Sequence, residues 1–254
     1  GDDFRSDLRI LRRIGVTKFC PYYAHKFYPK KGRVNYYRLA YYHWLWFKLN
    51  SSTENILENN FLASFRAIYT NQSELEFRVF NANEYFPNDF DPTGINSEAP
   101  LVGGNTYHTN IFEISYSSNP AKDFYFIAAQ NYGKFYDGTK YSFENSIFFR
   151  FQPKLLASVK LNYDAIKLNH LENTAQLWLV GPKFDFSFTK KLYWATLIQF
   201  NSQSENLGVN SRLQWRFNGL SNLFLVYNDN YLVRETGPIS PRMRSLNLKI
   251  TYWF

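Results

Sequence analysis

The feature that most constrains this chain is a period-two alternation of apolar and polar residues, which recurs along most of its 254 residues. In the segment LGVNSRLQWRF the apolar positions are Leu207, Val209, Leu213, Trp215 and Phe217. The polar positions between them are Gly208, Asn210, Arg212, Gln214 and Arg216. Successive side chains of a strand point to opposite faces, so the alternation predicts strands with one apolar, aromatic face and one polar, often charged face.

The same pattern predicts about fourteen strands, most of them longer than ten residues. They lie near residues 4–13, 17–29, 34–49, 56–70, 73–83, 106–117, 123–134, 140–152, 155–167, 172–188, 191–202, 206–217, 222–231 and 243–254. Strands of soluble domains average about 5–6 residues, whereas a tilted strand that crosses a bilayer needs about 9–11. We therefore predict an all-β protein, an antiparallel transmembrane β-barrel of about fourteen strands that occupies residues 1–254 as a single domain, or the C-terminal part of a larger barrel.

Composition agrees with strands and excludes several alternatives. Aromatic residues make up 20% of the chain, with 25 Phe, 20 Tyr and 6 Trp, and Phe and Tyr favour a pleated, half-buried surface. No stretch approaches the roughly 20 apolar residues of a membrane helix. The mean hydropathy lies on the polar side, but this average does not separate soluble proteins from barrels whose alternate residues face a polar lumen. The single cysteine, Cys20, excludes an intrachain disulfide framework.

The predicted connections differ between the two ends of the strands. Short turns such as PKKGR, TNQS and QPK follow the even-numbered predicted strands, whereas the odd-numbered ones are followed by longer links that include the loop 84–105. Short turns on one side and longer loops on the other are typical of outer-membrane barrels, in which the short side is periplasmic. The start GDDFRSDL lacks the apolar region of a signal peptide, so we expect a processed chain or a fragment.

The polar face of the predicted sheet carries charges of both signs. The charged residues predicted to face the lumen are Arg78, Glu144, Arg150, Lys160, Asp164, Lys183, Asp185, Arg212, Arg216 and Lys249. Such charges either select a solute, as rings of charge do in channels, or pair across neighbouring strands and fill the lumen. Mixed signs within single strands favour pairing.

Tryptophans near strand ends or on apolar faces predict the aromatic girdles that mark the two membrane interfaces of a barrel. They are Trp44, Trp46, Trp178, Trp194, Trp215 and Trp253. The last strand also ends on an aromatic residue and in this resembles the C-terminal strand that the outer-membrane assembly machinery reads, and the resemblance implies an assembly signal in its outward positions. Those positions are Leu248, Ile250, Tyr252 and Phe254. In a soluble sandwich, so many outward aromatics would form an aggregation-prone patch.

Residues that could carry chemistry are few. His108 and His43 could serve an outer-membrane hydrolase, but no serine in a recognisable context accompanies them. Asp89, Asp91 and Glu98 could gather around calcium, although their spacing does not match an EF-hand loop. The net charge of +8 is scattered along the chain, without the basic face that nucleic-acid binding needs. We predict no catalytic residue, metal, cofactor or nucleic-acid partner.

Three stretches of the chain resemble an uncharacterised family of Bacteroidota-type outer-membrane proteins. They are FRSDLRILRRIG near the start, QNYGKFYDGTK in the middle and the segment 191–231, which contains LYWATLIQFNSQSENLGVNSRLQWRF and is the most specific. Longer members carry an N-terminal module similar to family 9 carbohydrate-binding domains, followed by a C-terminal barrel. The resemblance implies that this chain is the barrel part of a larger protein and supplies no activity or sugar-binding residue.

From these observations we expect a non-enzymatic barrel of the bacterial outer membrane, either a transport or export pore or a subunit of a larger envelope complex. Its expected partners are outer-membrane lipid, the outer-membrane assembly machinery and other envelope proteins. The alternatives are a hydrolase with its site at the barrel rim, a sealed scaffold or docking barrel, and an extracellular soluble β-protein.

Overall fold

The computed structural model describes residues 15–48, 56–95, 100–234 and 237–253, and all regular structure in these ranges is β. The strands are β1 (Val16–Phe19), β2 (Tyr22–Phe27), β3 (Val34–Lys48), β4 (Ile56–Tyr69), β5 (Glu74–Phe86), β6 (Asn105–Ser117), β7 (Phe124–Phe135), β8 (Gly138–Phe151), β9 (Leu155–Lys167), β10 (Ala175–Ser187), β11 (Leu192–Asn201), β12 (Asn206–Arg216), β13 (Asn222–Leu232) and β14 (Ser240–Thr251). The all-β prediction is confirmed. Within the described ranges, no helix is long and apolar enough to cross a membrane.

The fourteen strands form one antiparallel sheet. From β3 onwards each strand pairs with the next in the chain, and β1 and β2 both pair with β3. Pairing between successive strands is the topology that the short predicted turns require, because antiparallel neighbours can be joined by a few residues.

The predicted strand 17–29 is two strands, and Pro21 supplies the reason. Proline has no backbone N–H to donate, so it interrupts the ladder between β1 and β2. Both strands nevertheless keep one register on β3, with Phe19 opposite Leu45 and Tyr22 opposite Tyr42. The Pro21 carbonyl still accepts the His43 N–H at 3.0 Å. The predicted strand 4–13 lies outside the described residues, so the observed and predicted sets of fourteen strands are not the same.

The other boundaries differ by a few residues. The last strand begins at Ser240 rather than at 243, and it keeps pairing with β13 through an irregularity between Asn230 and Tyr231. An irregularity of this kind places one extra residue in a strand without ending the pairing. Alternation broken by such a residue is harder to detect in a sequence, which explains the late predicted start.

One set of alternate connections is uniformly short, with six residues or fewer in each. It consists of 28–33, 70–73, 118–123, 152–154, 188–191 and 217–221. The other set includes 87–104, 168–174 and 233–239, but also the two-residue turn 136–137 and the four-residue turn 202–205. The predicted asymmetry therefore holds for the short side and only partly for the long side.

Contacts between Cα atoms group the described residues into two compact units. Unit 1 takes its residues from Gly1–Ser115, Asn131–Tyr141 and Ile166–Ala175, and unit 2 from Tyr116–Gln130, Ser142–Ala165 and Gln176–Phe254. In each unit the sheet has two chemically distinct faces, which we call the apolar face and the polar face. The prediction of a single domain over 1–254 stays a prediction.

In unit 1 the usual relation between polarity and burial is inverted. On the polar face, Asn60 is 7% exposed and Glu76 is 6% exposed. On the apolar face, Phe112 is 62% exposed and Ile114 is 46% exposed. Soluble domains bury their large apolar side chains and expose their charges. Here the order is reversed on neighbouring strands of one sheet.

In unit 2, large apolar side chains are again exposed, but most charged side chains of the polar face are exposed as well. Ser142 on β8 is buried, whereas Phe149 and Phe151 on the same strand are exposed. Pairing between β12, β13 and β14 aligns one apolar row, in which Leu213 lies opposite Leu225 and Leu225 lies opposite Leu248. The alternation read from the sequence therefore forms continuous rows across strands, as a sheet with fixed register requires.

Candidate functional site

The polar face of unit 1 carries a chain of alternating charges on β4, β5 and β6. Arg66 lies 3.0 Å from Glu74 through its Nε and donates from Nη2 to Glu76 at 2.8 Å. Arg78 lies 4.0 Å from Glu76 and pairs with Glu113. Two arginines and three carboxylates thus form one connected network, which we call the charge ladder.

Burial explains why each charged group of the charge ladder lies close to a group of opposite sign. Glu76 is nearly inaccessible, and Arg66, Arg78 and Glu113 are at most about one-third exposed. A charge removed from water is costly unless an opposite charge and hydrogen bonds compensate it. The cross-strand pairing that the mixed signs predict is what this part of the sheet contains.

In unit 2, four of the predicted charged residues also have partners. Lys183 pairs with Asp185 at 2.8 Å, and Asp164 accepts a hydrogen bond from the Ser142 hydroxyl. Arg150 donates to the Pro120 carbonyl at 3.0 Å, and its guanidinium lies 5.4 Å from the centre of the Tyr125 ring. These contacts hold charged side chains against the sheet.

The five remaining predicted charged residues are exposed: Glu144, Lys160, Arg212, Arg216 and Lys249. Strand register places Arg212 opposite Val226, and Val226 opposite Asn247, on the polar face. Lys249 lies opposite Phe224 on the same face. That these residues line a lumen stays a prediction.

Three of the predicted interface tryptophans lie on the apolar face of unit 2. Trp178 packs on Tyr163 with ring centres 4.3 Å apart, Trp194 stacks on Phe186 at 5.3 Å, and Trp215 lies opposite Leu223. Two others, Trp44 and Trp46 on β3, lie opposite Asn60 and Glu58 and so share the polar face. Trp253 follows β14 and is exposed, and its backbone N–H donates to the Ser221 hydroxyl at 3.0 Å.

The predicted C-terminal signal is described up to Trp253. Leu248 and Ile250 are exposed, and they lie opposite Leu225 and Leu223 on the apolar face. Tyr252 is exposed and lies 6.4 Å from Phe217 between ring centres. Phe254 lies outside the described residues.

The two candidate catalytic histidines belong to a ladder of amides in unit 1. His43 Nε2 lies 2.7 Å from Asn59 Oδ1, and His43 Nδ1 lies 3.2 Å from the Tyr41 hydroxyl. His108 hydrogen-bonds Asn83, whose amide donates to the Asn59 carbonyl at 3.1 Å. In the neutral tautomer with the proton on Nε2, His43 donates to Asn59 and accepts from Tyr41. Both imidazoles therefore have structural partners, and none of these three contacts involves a Ser, Thr or Cys side chain.

This ladder shares the apolar face but lies at the strand ends that meet the long connection. Phe61 and Phe65 follow Asn59 on the same face of β4, and Phe77 precedes Asn83 on the same face of β5. The apolar face of unit 1 is thus aromatic near the short turns and polar near the connection 87–104. The alternation indicates the faces, but the change in polarity along a face was not recognised from the sequence.

The connection 87–104 is anchored by an aromatic cluster in unit 1. Phe86 stacks on Phe90 with ring centres 4.0 Å apart, and the Tyr136 ring lies 5.2 Å from Phe90 and 6.1 Å from Tyr107. Burial in this cluster raises the pKa of Tyr136 to about 12 because the phenolate would lose its hydration. The connection also pairs with itself through Phe90 and Leu101.

The predicted calcium ligands have other roles in this connection. Asp91 Oδ1 accepts from the Thr93 N–H at 2.8 Å and from its hydroxyl at 2.6 Å, and Asp89 Oδ1 accepts from the Gly103 N–H at 2.6 Å. These are loop-closing contacts of the kind that aspartate makes in turns. Glu98 lies outside the described residues. Among the residues that the structure describes, no group of three or more His, Cys, Asp and Glu side chains could hold a metal ion.

Unit 2 contains a charged cluster that the sequence analysis missed. Asp229 is 2% exposed and accepts hydrogen bonds from Tyr227 at 2.6 Å, from Tyr231 at 2.7 Å and from Arg244 Nε at 2.9 Å. Arg244 lies opposite Asp229 on β14. The detectable signal is an aspartate in phase with Leu223 and Leu225, where the alternation calls for an apolar residue.

Comparisons with known proteins identify no relative of this chain. A scan against protein-family models finds no match, and searches of curated proteins and of solved structures find no significant match either. Functional inference therefore rests on the sheet and its two faces.

Proposed function

We propose that this chain forms all or part of a β-barrel of the bacterial outer membrane, with its apolar face against lipid and its polar face around an aqueous interior. The observation that carries the proposal is the inversion of burial. In unit 1, Phe112 and Ile114 are exposed, whereas Glu76 and Asn60 are buried. A bilayer is the solvent in which that distribution is favourable.

Contact of the apolar face with water would forgo hydrophobic stabilisation. Full burial of a large apolar side chain is worth about 1.5–3 kcal/mol relative to exposure in water. Phe112 and Ile114 on β6 and Phe149 and Phe151 on β8 leave much of that stabilisation unused if the apolar face contacts water. Contact with lipid supplies it without any further protein layer.

A membrane barrel also requires every backbone N–H and C=O to be paired, because lipid offers no hydrogen bonds. Among the described residues β14 pairs with β13 alone, and in the proposed barrel its other edge joins a further strand. Closure of this kind removes the sheet edges altogether.

The proposed activity is non-enzymatic passage of a solute or an exported chain. Pairing in the charge ladder supports this, because its paired charges leave no strong field of one sign on the polar face of unit 1. A subunit of an envelope complex is the version in which the same barrel works with partner proteins. Assembly into the membrane would use the C-terminal strand, with Leu248, Ile250 and Tyr252 facing lipid.

Insertion and conductance test the proposal together. The chain is refolded in detergent, reconstituted into phospholipid vesicles and floated on a density gradient, and then fused with planar bilayers. We expect it to float with the vesicles and to give discrete single-channel steps. A chain that stays monodisperse without detergent and does not float contradicts the membrane proposal, whereas a chain that floats without conducting supports the sealed scaffold.

The alternative of a rim hydrolase is tested with the same preparation. We expect the double variant His43→Ala/His108→Ala to leave any phospholipid or peptide hydrolysis unchanged. Loss of a measurable activity in this variant, with flotation retained, would support the hydrolase instead.

A further inference from the structure

We propose that unit 2 contains a binding groove for a neutral, hydroxyl-rich ligand of the oligosaccharide class. The groove lies on the polar face of β11, β12 and β13, where these strands approach the turn 202–205. All of its lining residues belong to unit 2. Binding of a ligand there does not depend on whether the chain conducts solutes across a membrane.

The groove is lined almost entirely by uncharged hydrogen-bonding groups. Ten residues line it, none of them charged, and apart from Leu197 and Val209 they are polar side chains or glycine. Six of the ten are amides: Gln199, Asn201, Asn206, Asn210, Asn228 and Asn230. No charged side chain replaces an amide here, in contrast to the charge ladder of unit 1.

Strand register explains why the amides gather. Asn201 lies opposite Asn206, and Asn210 lies opposite Asn228, so side chains on one face meet in pairs. Asn206 Nδ2 donates to Asn230 Oδ1 at 3.3 Å, and Asn210 Nδ2 donates to Asn228 Oδ1. Each amide has two donor hydrogens and an acceptor oxygen with two lone pairs. These pairs therefore orient the amides while leaving hydrogen-bonding capacity for a ligand.

Gly208 provides the space between the pairs. It lies opposite Gln199 on β11 and Asn230 on β13. A Cβ atom at this position would lie 3.1 Å from Asn230 Oδ1 and 3.5 Å from Asn206 Nδ2. Glycine thus keeps open the centre of a row that is otherwise filled by amides.

The groove chemistry discriminates between ligand classes. An ion would lose hydration without meeting an opposite charge, and a wholly apolar ligand would leave the amides unpaired. A sugar offers hydroxyls that both donate and accept, together with apolar ring C–H groups that could contact Leu197. Extended peptides satisfy their backbone groups along a sheet edge, whereas this groove lies on a sheet face.

Calorimetric titration of the full chain in detergent micelles tests the proposal. The probes are the neutral hexasaccharides maltohexaose, cellohexaose and xylohexaose, with an oligogalacturonate as the anionic sugar and acetyl-tetraalanine-amide as the neutral peptide. We expect saturable binding of at least one neutral hexasaccharide and weaker or absent binding of the other two probes. Absence of saturable binding by every neutral sugar, or tighter binding of the peptide, overturns the proposal.

Two variants locate the binding. Gly208→Ala fills the centre of the groove, and Asn230→Leu removes an amide, so each should weaken sugar binding about tenfold, as expected for one or two lost hydrogen bonds. The matched control is Gly219→Ala, because a Cβ there meets nothing within 4 Å. A far-ultraviolet circular dichroism spectrum like that of the unchanged protein shows that a variant has folded. If Gly208→Ala or Asn230→Leu does not fold, Gln199→Leu is tested in its place. Equal affinity in all variants contradicts the assignment, and none of these outcomes depends on flotation or conductance.

Discussion

At the scale of single residues, Arg78 connects the glutamates of β5 with the glutamate of β6 in the charge ladder. It approaches Glu76 on its own strand and pairs with Glu113 on β6. Removing it leaves two partly buried carboxylates with less compensation. Since the guanidinium is about one-third exposed, the cost lies between that of a surface pair and that of a fully buried pair.

We therefore expect Arg78→Met to lower the free energy of unfolding by about 1–3 kcal/mol. Urea unfolding in detergent, followed by tryptophan fluorescence, measures it. The matched control is Lys183→Met, which breaks the more exposed pair with Asp185 and should cost less than about 0.5 kcal/mol. Equal effects of the two substitutions would mean that the charge ladder is no more buried than the surface pair.

Asp229 and Arg244 form a charged pair among apolar neighbours, and their coupling can be measured. Asp229→Leu alone removes the acceptor that Tyr227, Tyr231 and Arg244 share and should lower the free energy of unfolding, by less than breaking a fully buried pair would because Arg244 is 61% exposed. The double variant Asp229→Leu/Arg244→Leu should recover most of that loss, because apolar side chains suit this face. A double-mutant cycle of unfolding free energies tests this. A double variant less stable than the single would show that the face needs the charge pair.

At the scale of strands, two glycines allow neighbouring backbones to approach closely. An ideal Cβ at Gly133 would lie 1.9 Å from the Asn110 carbonyl oxygen, and one at Gly138 would lie 1.9 Å from the Lys167 carbonyl oxygen. Neither contact is sterically possible, so the backbone must shift if a side chain is added.

We expect Gly133→Ala to destabilise the fold by about 2 kcal/mol or more, because backbone cannot give way as a flexible side chain does. The control Gly219→Ala lies in open space and should be nearly neutral. The yield of folded protein and the urea midpoint are the measurements. A Gly133→Ala protein as stable as the control would show that β6 and β7 are further apart at this point.

The last strand carries a prediction about insertion. Deleting Phe254 should reduce insertion into vesicles in the presence of the outer-membrane assembly machinery, while replacing Asn247 on the polar face with alanine should not. Protease protection of the inserted chain measures both. Equal insertion of the two variants would separate the terminal aromatic from the assembly signal.

Most strands could be predicted because alternation is local, and a strand records its own two faces in its sequence. The interruption at Pro21 and the irregularity near Tyr231 were missed because they change pairing without ending it. The partners of charged residues could not be predicted from the sequence. Glu113 pairs with a residue 35 positions away and Asp137 with His170, 33 positions away, and no local pattern specifies such a choice.

At the scale of the whole molecule, the charges that the sheet carries can be predicted from the sequence, but the sites that these charges form cannot. The sequence predicts charges of both signs on one face and leaves open whether they pair or line a pore. The structure adds the paired charge ladder, the buried Asp229 and the amide groove. Each of these features depends on which residues of neighbouring strands lie opposite one another. The alternation predicts the face on which a residue lies, but it does not specify the opposite residue.

Spin labels along β6 can show whether the apolar face contacts lipid and the polar face contacts water. Single cysteines, introduced in a Cys20→Ser background at Phe112, Glu113, Ile114 and Ser115, are labelled and reconstituted in vesicles. Collision rates with oxygen, which partitions into lipid, and with a water-soluble nickel chelate are then measured by electron paramagnetic resonance. We expect high oxygen access at 112 and 114 and high nickel access at 113 and 115, and uniform nickel access at all four positions would show that the apolar face does not contact lipid.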